Sequence, residues 1–195
     1  PRFAPPPPPP LVGPARPRVA LFIDGAALDE ACARIGEPVA AIVDLDQLAR
    51  RLVDWQRAEL AAIHLLPTGA TARRRSYQRL VQSQGVRIEP DEDARDPGAA
   101  ILIGHLAGAF DHAIVLTDGA HALLERSPLL RDLTRRRRRT ARLQIHIVTP
   151  PGTPAEPAPP WPIIDLGELK AGFLRRCHQS PPPRLPDTTS AHAAL

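Results

Sequence analysis

Lysine, cysteine and aromatic residues are scarce in this 195-residue chain, and each scarcity narrows its function. Lys170 is the only lysine, so arginine carries nearly all the positive charge. The two cysteines, Cys32 and Cys177, lie far apart and in no CxxC spacing, which leaves no disulfide framework or thiolate metal site. Buried thiols in a reducing cytoplasm are the expectation. Aromatics make up 4% of the chain, and they fall in patterns that read as buried, so base stacking by exposed rings finds little support. No apolar run approaches the roughly 20 residues that span a bilayer. "PRFAPPPPPP" has neither the cationic start nor the apolar core of a signal peptide. A soluble, cytoplasmic protein without a membrane partner is expected. No Walker loop or GxGxxG run follows a strand pattern, which argues against nucleotide-fuelled and dinucleotide chemistry. Ser76, Ser83 and Ser127 lack a nucleophile-elbow context, so a serine hydrolase finds no support either.

Proline and arginine are abundant instead. The 25 prolines cluster at the front, in one late loop and at the tail. Residues 1–17 read as an extended polyproline II arm, because each ring fixes φ and removes a backbone donor. Such an arm serves as a linker or as a ligand for a protein partner with a proline-binding module. Residues 18–176 read as one domain with a proline-rich loop at 149–162, and residues 177–195 as a disordered tail. The formal net charge of +4 and pI of about 10.0 favour polyanionic partners such as nucleic acid. A chain biased throughout toward arginine, alanine and proline has the same balance. Oligomeric state is not legible.

From Arg18 onward, short apolar runs alternate with amphipathic stretches. "RVALFID", "AELAAIHLL", "GVRIEP", "HAIVLT" and "LQIHIVT" read as strands, each closed by a turn signal or a polar residue. "AALDEACARIG", "DLDQLARRLVDWQ", "TARRRSYQRLVQSQG", "GAAILIGHLAGAF" and "SPLLRDLTRRRRR" read as helices, with Asp44 and Thr71 as N-caps. After the proline-rich loop, "IIDLGELKAGFLRR" reads as a short strand and a closing helix. Strands alternating with helices predict a three-layer α/β/α fold with a mostly parallel sheet, Rossmann-like in its organisation.

Functional groups of such a sheet gather beyond the carboxyl ends of its strands. "ALFIDG" delivers Asp24 there and "AIVLTDG" delivers Asp118, each followed by glycine. On neighbouring strands, the two carboxylates would converge. Paired hard oxygen ligands suit Mg²⁺ or Mn²⁺, which orients a phosphodiester and activates an attacking water. The competing reading is that each aspartate caps the helix after it or bonds its own turn. A phosphatase of the haloacid-dehalogenase type is excluded, because Phe22 stands at the nucleophile position.

"FIDGAAL" matches the first-strand pattern of the NYN domain family at Phe22, Ile23, Asp24, Gly25 and Leu28, and "FDHAIVLTDGAH" is similar to that family's later acidic region. Over roughly Arg18 to Phe173 the chain resembles these PIN-like nucleases, which include the DUF88 or LabA-like proteins. The resemblance implies a PIN-like fold and metal-dependent RNA hydrolysis, with Asp24 as primary metal ligand and Asp118 as a second. It also implies losses. Ala27 stands at an asparagine position, and Ala99 or Ala100 at that of a helical aspartate. An ungapped match puts Gly119 and His121 at the later acidic positions, whereas a one-residue deletion keeps Asp118 as the first acid. His121 and Asp96 are the candidates to compensate as metal ligands. The run Glu89 to Asp96 either faces the same crevice or forms a solvated loop.

Five adjacent arginines, Arg135, Arg136, Arg137, Arg138 and Arg139, and a second cluster of Arg73, Arg74 and Arg75 are candidates to hold an RNA backbone through forked donors. Solvated helical faces explain either cluster alone. His64 and His146 read as core or sheet-face residues, and His105 as helix packing. Two functions stay open: a metal-dependent ribonuclease with an eroded acidic site, and a catalytically inactive NYN domain that binds RNA or protein.

Overall fold

The computed structural model describes residues 16–35, 45–90, 96–135, 143–157 and 160–168. Along the chain run β1 (Arg18–Asp24), α1 (Gly25–Ile35), α2 (Leu45–Trp55), β2 (Glu59–Leu66), α3 (Gly69–Ala72), α4 (Arg75–Ser83) and β3 (Arg87–Ile88). Then follow α5 (Pro97–Leu106), β4 (His112–Leu116), α6 (Ala120–Arg126), α7 (Pro128–Arg135), β5 (Gln144–Thr149) and β6 (Ile163–Asp165). The six strands form one sheet in the order β3-β2-β1-β4-β5-β6, and every neighbouring pair is parallel. Helices cover both faces, which makes the fold a three-layer α/β/α sandwich.

The alternation of β1 explains the two cores. Val19, Leu21 and Ile23 face a cluster built with Leu28 of α1, Leu45, Leu48 and Leu52 of α2, and Tyr77 and Val81 of α4. Ala20 and Phe22 face the opposite cluster, with Ile101 of α5, Leu123 of α6 and Leu130 of α7. Both sets are buried because β1 lies mid-sheet, so the strand reads as a continuous apolar run. The chain moves outward in one direction from β1 to β2 to β3, then crosses back through α5 and moves outward the other way from β4 to β6. The reversal falls between β1 and β4.

All the strands expected from the sequence are present within a few residues of their expected ends. The helices need corrections. The expected helix over 71–85 is two, α3 and α4, and Thr71 is not an N-cap. Asp29 of α1 explains the difference: its Oδ2 accepts from the backbone N–H groups of Ala70 and Thr71 at 3.0 and 3.1 Å, which starts the first turn at Gly69. Arg74 is then extended, and a second helix begins at Arg75. The helix expected to reach Phe110 stops at Leu106, because Gly108 turns the chain with φ of 70°. Helix α6, not expected at all, follows β4. The proline-rich arm before residue 16, Asp44, Arg136 to Arg139 and the closing helix after residue 168 lie outside the described residues.

Gly25 shows why glycine follows Asp24. A Cβ there would lie 2.3 Å from the carbonyl oxygen of Thr68 and 2.4 Å from Cβ of Ala72, so only glycine lets the turn after β2 close against β1. Gly25→Ala is therefore expected to cost about 1–3 kcal/mol in denaturant unfolding, through forced displacement of that turn. Tyr77 offers the opposite case. Its ring is buried and its hydroxyl has no hydrogen-bond partner among the described residues. Burial, with the nearby charges of Cys32 and Asp29, holds its ionisation far above the ordinary range. Tyr77→Phe removes the unpaired group and keeps the packing, so the same measurement should find it neutral or stabilising by about 1 kcal/mol.

Candidate functional site

In a sheet of this type a crevice opens beyond the carboxyl ends of the strands where the strand order reverses. Here that place is the end of β1 and β4, which pair with Ile23 opposite Leu116. Asp24 is the last residue of β1 and is 0% exposed. By alternation it points to the same side as Phe22, toward α6. A carboxylate so placed must be compensated, since an isolated buried charge is unsustainable.

The compensation is complete. Arg126, the last residue of α6, donates through Nη1 to Asp24 Oδ2 and through Nη2 to Thr117 Oγ1, the latter at 2.6 Å. Thr68, two residues past β2, donates its hydroxyl to Asp24 Oδ1. The same oxygen accepts from the backbone N–H of Ala26 at 3.0 Å. Asp24 thus bonds the first turn of α1 and also receives donors from the segments after β2 and β4. Of the two sequence readings, the bond to its own turn is the one observed, through the N–H of Ala26.

Asp118 reaches the same rim with a different environment. It is exposed. Partial burial raises its pKa above the ordinary value, and the negative charge of Asp24 raises it further. The charge of Arg126 opposes this, that of Glu30 adds to it and that of Arg34 opposes it. Asp24 ends β1 and Asp118 follows the adjacent β4, and of the two it is Asp24 that pairs with the Arg126 guanidinium.

The other candidates take separate places. Asp96 is the N-cap of α5, where its Oδ1 accepts from the N–H groups of Gly98 and Ala99 at 3.0 and 3.3 Å, ahead of Pro97 in the first turn. His121 pairs through Nδ1 with Glu156 Oε2 at 3.0 Å, and its backbone N–H donates to the same carboxylate. Glu156 belongs to the proline-rich loop, which Arg34 holds from the other side through Pro151 O at 2.9 Å and Thr153 Oγ1 at 3.1 Å. Asp111 lies at the opposite end of β4, where it accepts from the N–H of Arg18 at 3.1 Å. Arg73, Arg74 and Arg75 are exposed between α3 and α4, on the side where β2 ends. Arg135 ends α7, and the rest of that cluster lies outside the described residues. His64 is a buried sheet-face residue as expected, stacked on Phe22 with ring centroids 4.5 Å apart and paired with Glu89, the first residue of the acidic run. His146 lies on β5, and His105 packs near the end of α5 with Nδ1 3.3 Å from Phe110 O.

These groups do not fit a divalent metal. Hard cations need several anionic oxygens free to ligate. Asp24 Oδ2 faces a guanidinium and Oδ1 already receives two donors. Among the described residues no cluster of three or more His, Cys, Asp or Glu side chains is arranged to hold an ion. Sequence reasoning missed the two residues that close the site, Thr68 and Arg126. The helix that carries the second has a signal in "AHALLER", bounded by Gly119 and by Ser127-Pro128, though not the pairing itself.

Comparison with protein-family models, with curated proteins and with solved structures finds no match to this chain. No helix among the described residues is long and apolar enough to cross a membrane.

The raised pKa of Asp118 has a definite sign. The folded state binds this proton more tightly than the unfolded chain, so the group's contribution to stability declines as pH rises from its ordinary value of 3.8 through the folded pKa. Asp118→Asn removes that penalty. The variant should melt above the parent at neutral pH, by under about 1 kcal/mol given solvent screening at this exposed position. The difference should vanish in melts below the unfolded pKa.

Proposed function

We propose that this chain is an NYN-like domain of the PIN-like type that binds RNA through its phosphate backbone and does not hydrolyse it. The observation that carries the reading is the pairing of Arg126 with Asp24, which neutralises the one acid whose match to the family's first motif is unambiguous. The strand order, with Asp24 and Asp118 at its reversal, supports the NYN-like part. Exposed Arg73, Arg74 and Arg75 support the phosphate contact, since forked guanidinium donors match phosphate oxygens. Phe22, Tyr77 and Phe110 are all buried, so base stacking on these rings plays no part.

Binding of this kind is electrostatic and therefore salt-dependent. Each phosphate neutralised on a single strand contributes about 0.7 to the slope of log affinity against log salt. Labelled single-stranded RNA should be retained by the protein equally in Mg²⁺, Mn²⁺ and chelator, and should stay intact. Replacing Arg73, Arg74 and Arg75 together by alanine should weaken retention and flatten the salt slope by roughly 2. A second reading, metal-dependent hydrolysis, is favoured by the position of Asp24 and Asp118 at the carboxyl ends of adjacent strands. Cleavage that appears with Mn²⁺ and disappears in Asp24→Asn would establish it in place of the first.

A further inference from the structure

We propose that the Arg126 guanidinium is the resident cation of the crevice between β1 and β4, standing in for a divalent metal, so that the domain is metal-independent as folded. The disagreement between the family resemblance and the side chains present is the starting point. A wholly buried carboxylate at the end of β1 requires a positive counterpart, and either an ion or a side chain meets that requirement. Arg126 meets it with two directed donors, one to Asp24 and one to Thr117, from a helix that begins three residues after Thr117 itself. The cation therefore sits at the far end of the helix that follows the loop carrying Asp118.

Charge accounts for the consequence. With Arg126 in place, Asp24 is neutralised, and Asp118 stands just past the end of the adjacent strand β4. A divalent ion entering there meets a guanidinium before it meets a free pair of acids. Without Arg126, the Asp24 carboxylate and the hydroxyls of Thr68 and Thr117 remain around a cationic vacancy, with Asp118 past the end of the adjacent strand, a set of hard oxygens that suits Mg²⁺ or Mn²⁺. Loss of one side chain should thus turn a metal-indifferent domain into a metal-responsive one. This inference concerns the cation alone and holds whether or not RNA binds.

The test uses the whole chain, stripped with chelator, and reads thermal unfolding together with Mn²⁺ uptake by electron paramagnetic resonance. The parent should take up no Mn²⁺ and melt at the same temperature in chelator and in millimolar Mn²⁺. Arg126→Ala should melt lower by about 5 °C or more, recover part of that loss in Mn²⁺ but not in potassium of equal ionic strength, and bind the ion. Arg126→Gln retains most of the side-chain volume and serves if the alanine variant does not fold. Adding Asp118→Asn to either variant should abolish the Mn²⁺ response. Stoichiometric Mn²⁺ uptake by the parent that is lost in Asp24→Asn would overturn the proposal. So would Arg126→Ala and Arg126→Gln proteins whose melting or failure to fold is indifferent to Mn²⁺. None of these readouts depends on RNA, so a failure here is separate from a failure of RNA retention.

Discussion

A carboxylate with no solvent exposure lies at the end of the central strand, and the arrangement around it follows from the need to hold that charge. Asp24 draws one donor from its own following turn, the first of α1, and two from segments distant in sequence, the turn after β2 and the end of α6. Each donor is aimed by backbone placement. Gly25 permits the β2 turn to approach, and the reversal of strand order leaves room for α6 to reach across. Neutralisation by a guanidinium requires good geometry, because the desolvation of both ions must be offset. The second bond from Arg126 to Thr117 supplies that geometry by holding the planar fork in one orientation.

The same interaction governs the chemistry of the rim. At the switch point the buried acid is met by a side-chain cation, Arg126. Asp118 is left exposed, its pKa raised first by partial desolvation and then by the charge of Asp24, with Arg126 opposing. The neighbouring proline-rich loop is tied to α1 by Arg34 and to α6 by Glu156, so the crevice is bordered by a segment fastened at two points. Exposed arginines at the nearby end of β2 give this edge its positive character.

Legibility followed the range of the interaction. The apolar runs of β1, β2, β4 and β5 were readable because burial on both faces of a parallel strand leaves a continuous hydrophobic signature. The α5 cap at Asp96 was present as Asp-Pro-Gly, yet its role was assigned to metal because a lone acid near a helix start has both uses. The break between α3 and α4 was not readable, since it depends on Asp29, 41 residues from the N–H of Ala70 that it accepts. Helix α6 was missed although glycine and Ser-Pro bound it, because seven residues make a weak periodic signal.

By itself the sequence determined the class of fold, its two apolar layers and the delivery of Asp24 and Asp118 to one edge. These follow from periodicities of a few residues, which local chemistry expresses wherever the chain goes. Only the tertiary structure decided what those acids do. Thr68 and Arg126 lie 44 and 102 residues from Asp24, and nothing in their local pattern marks them as its partners. The physical reason is that a buried charge selects its counterpart by proximity in space, and proximity is a property of the completed sheet.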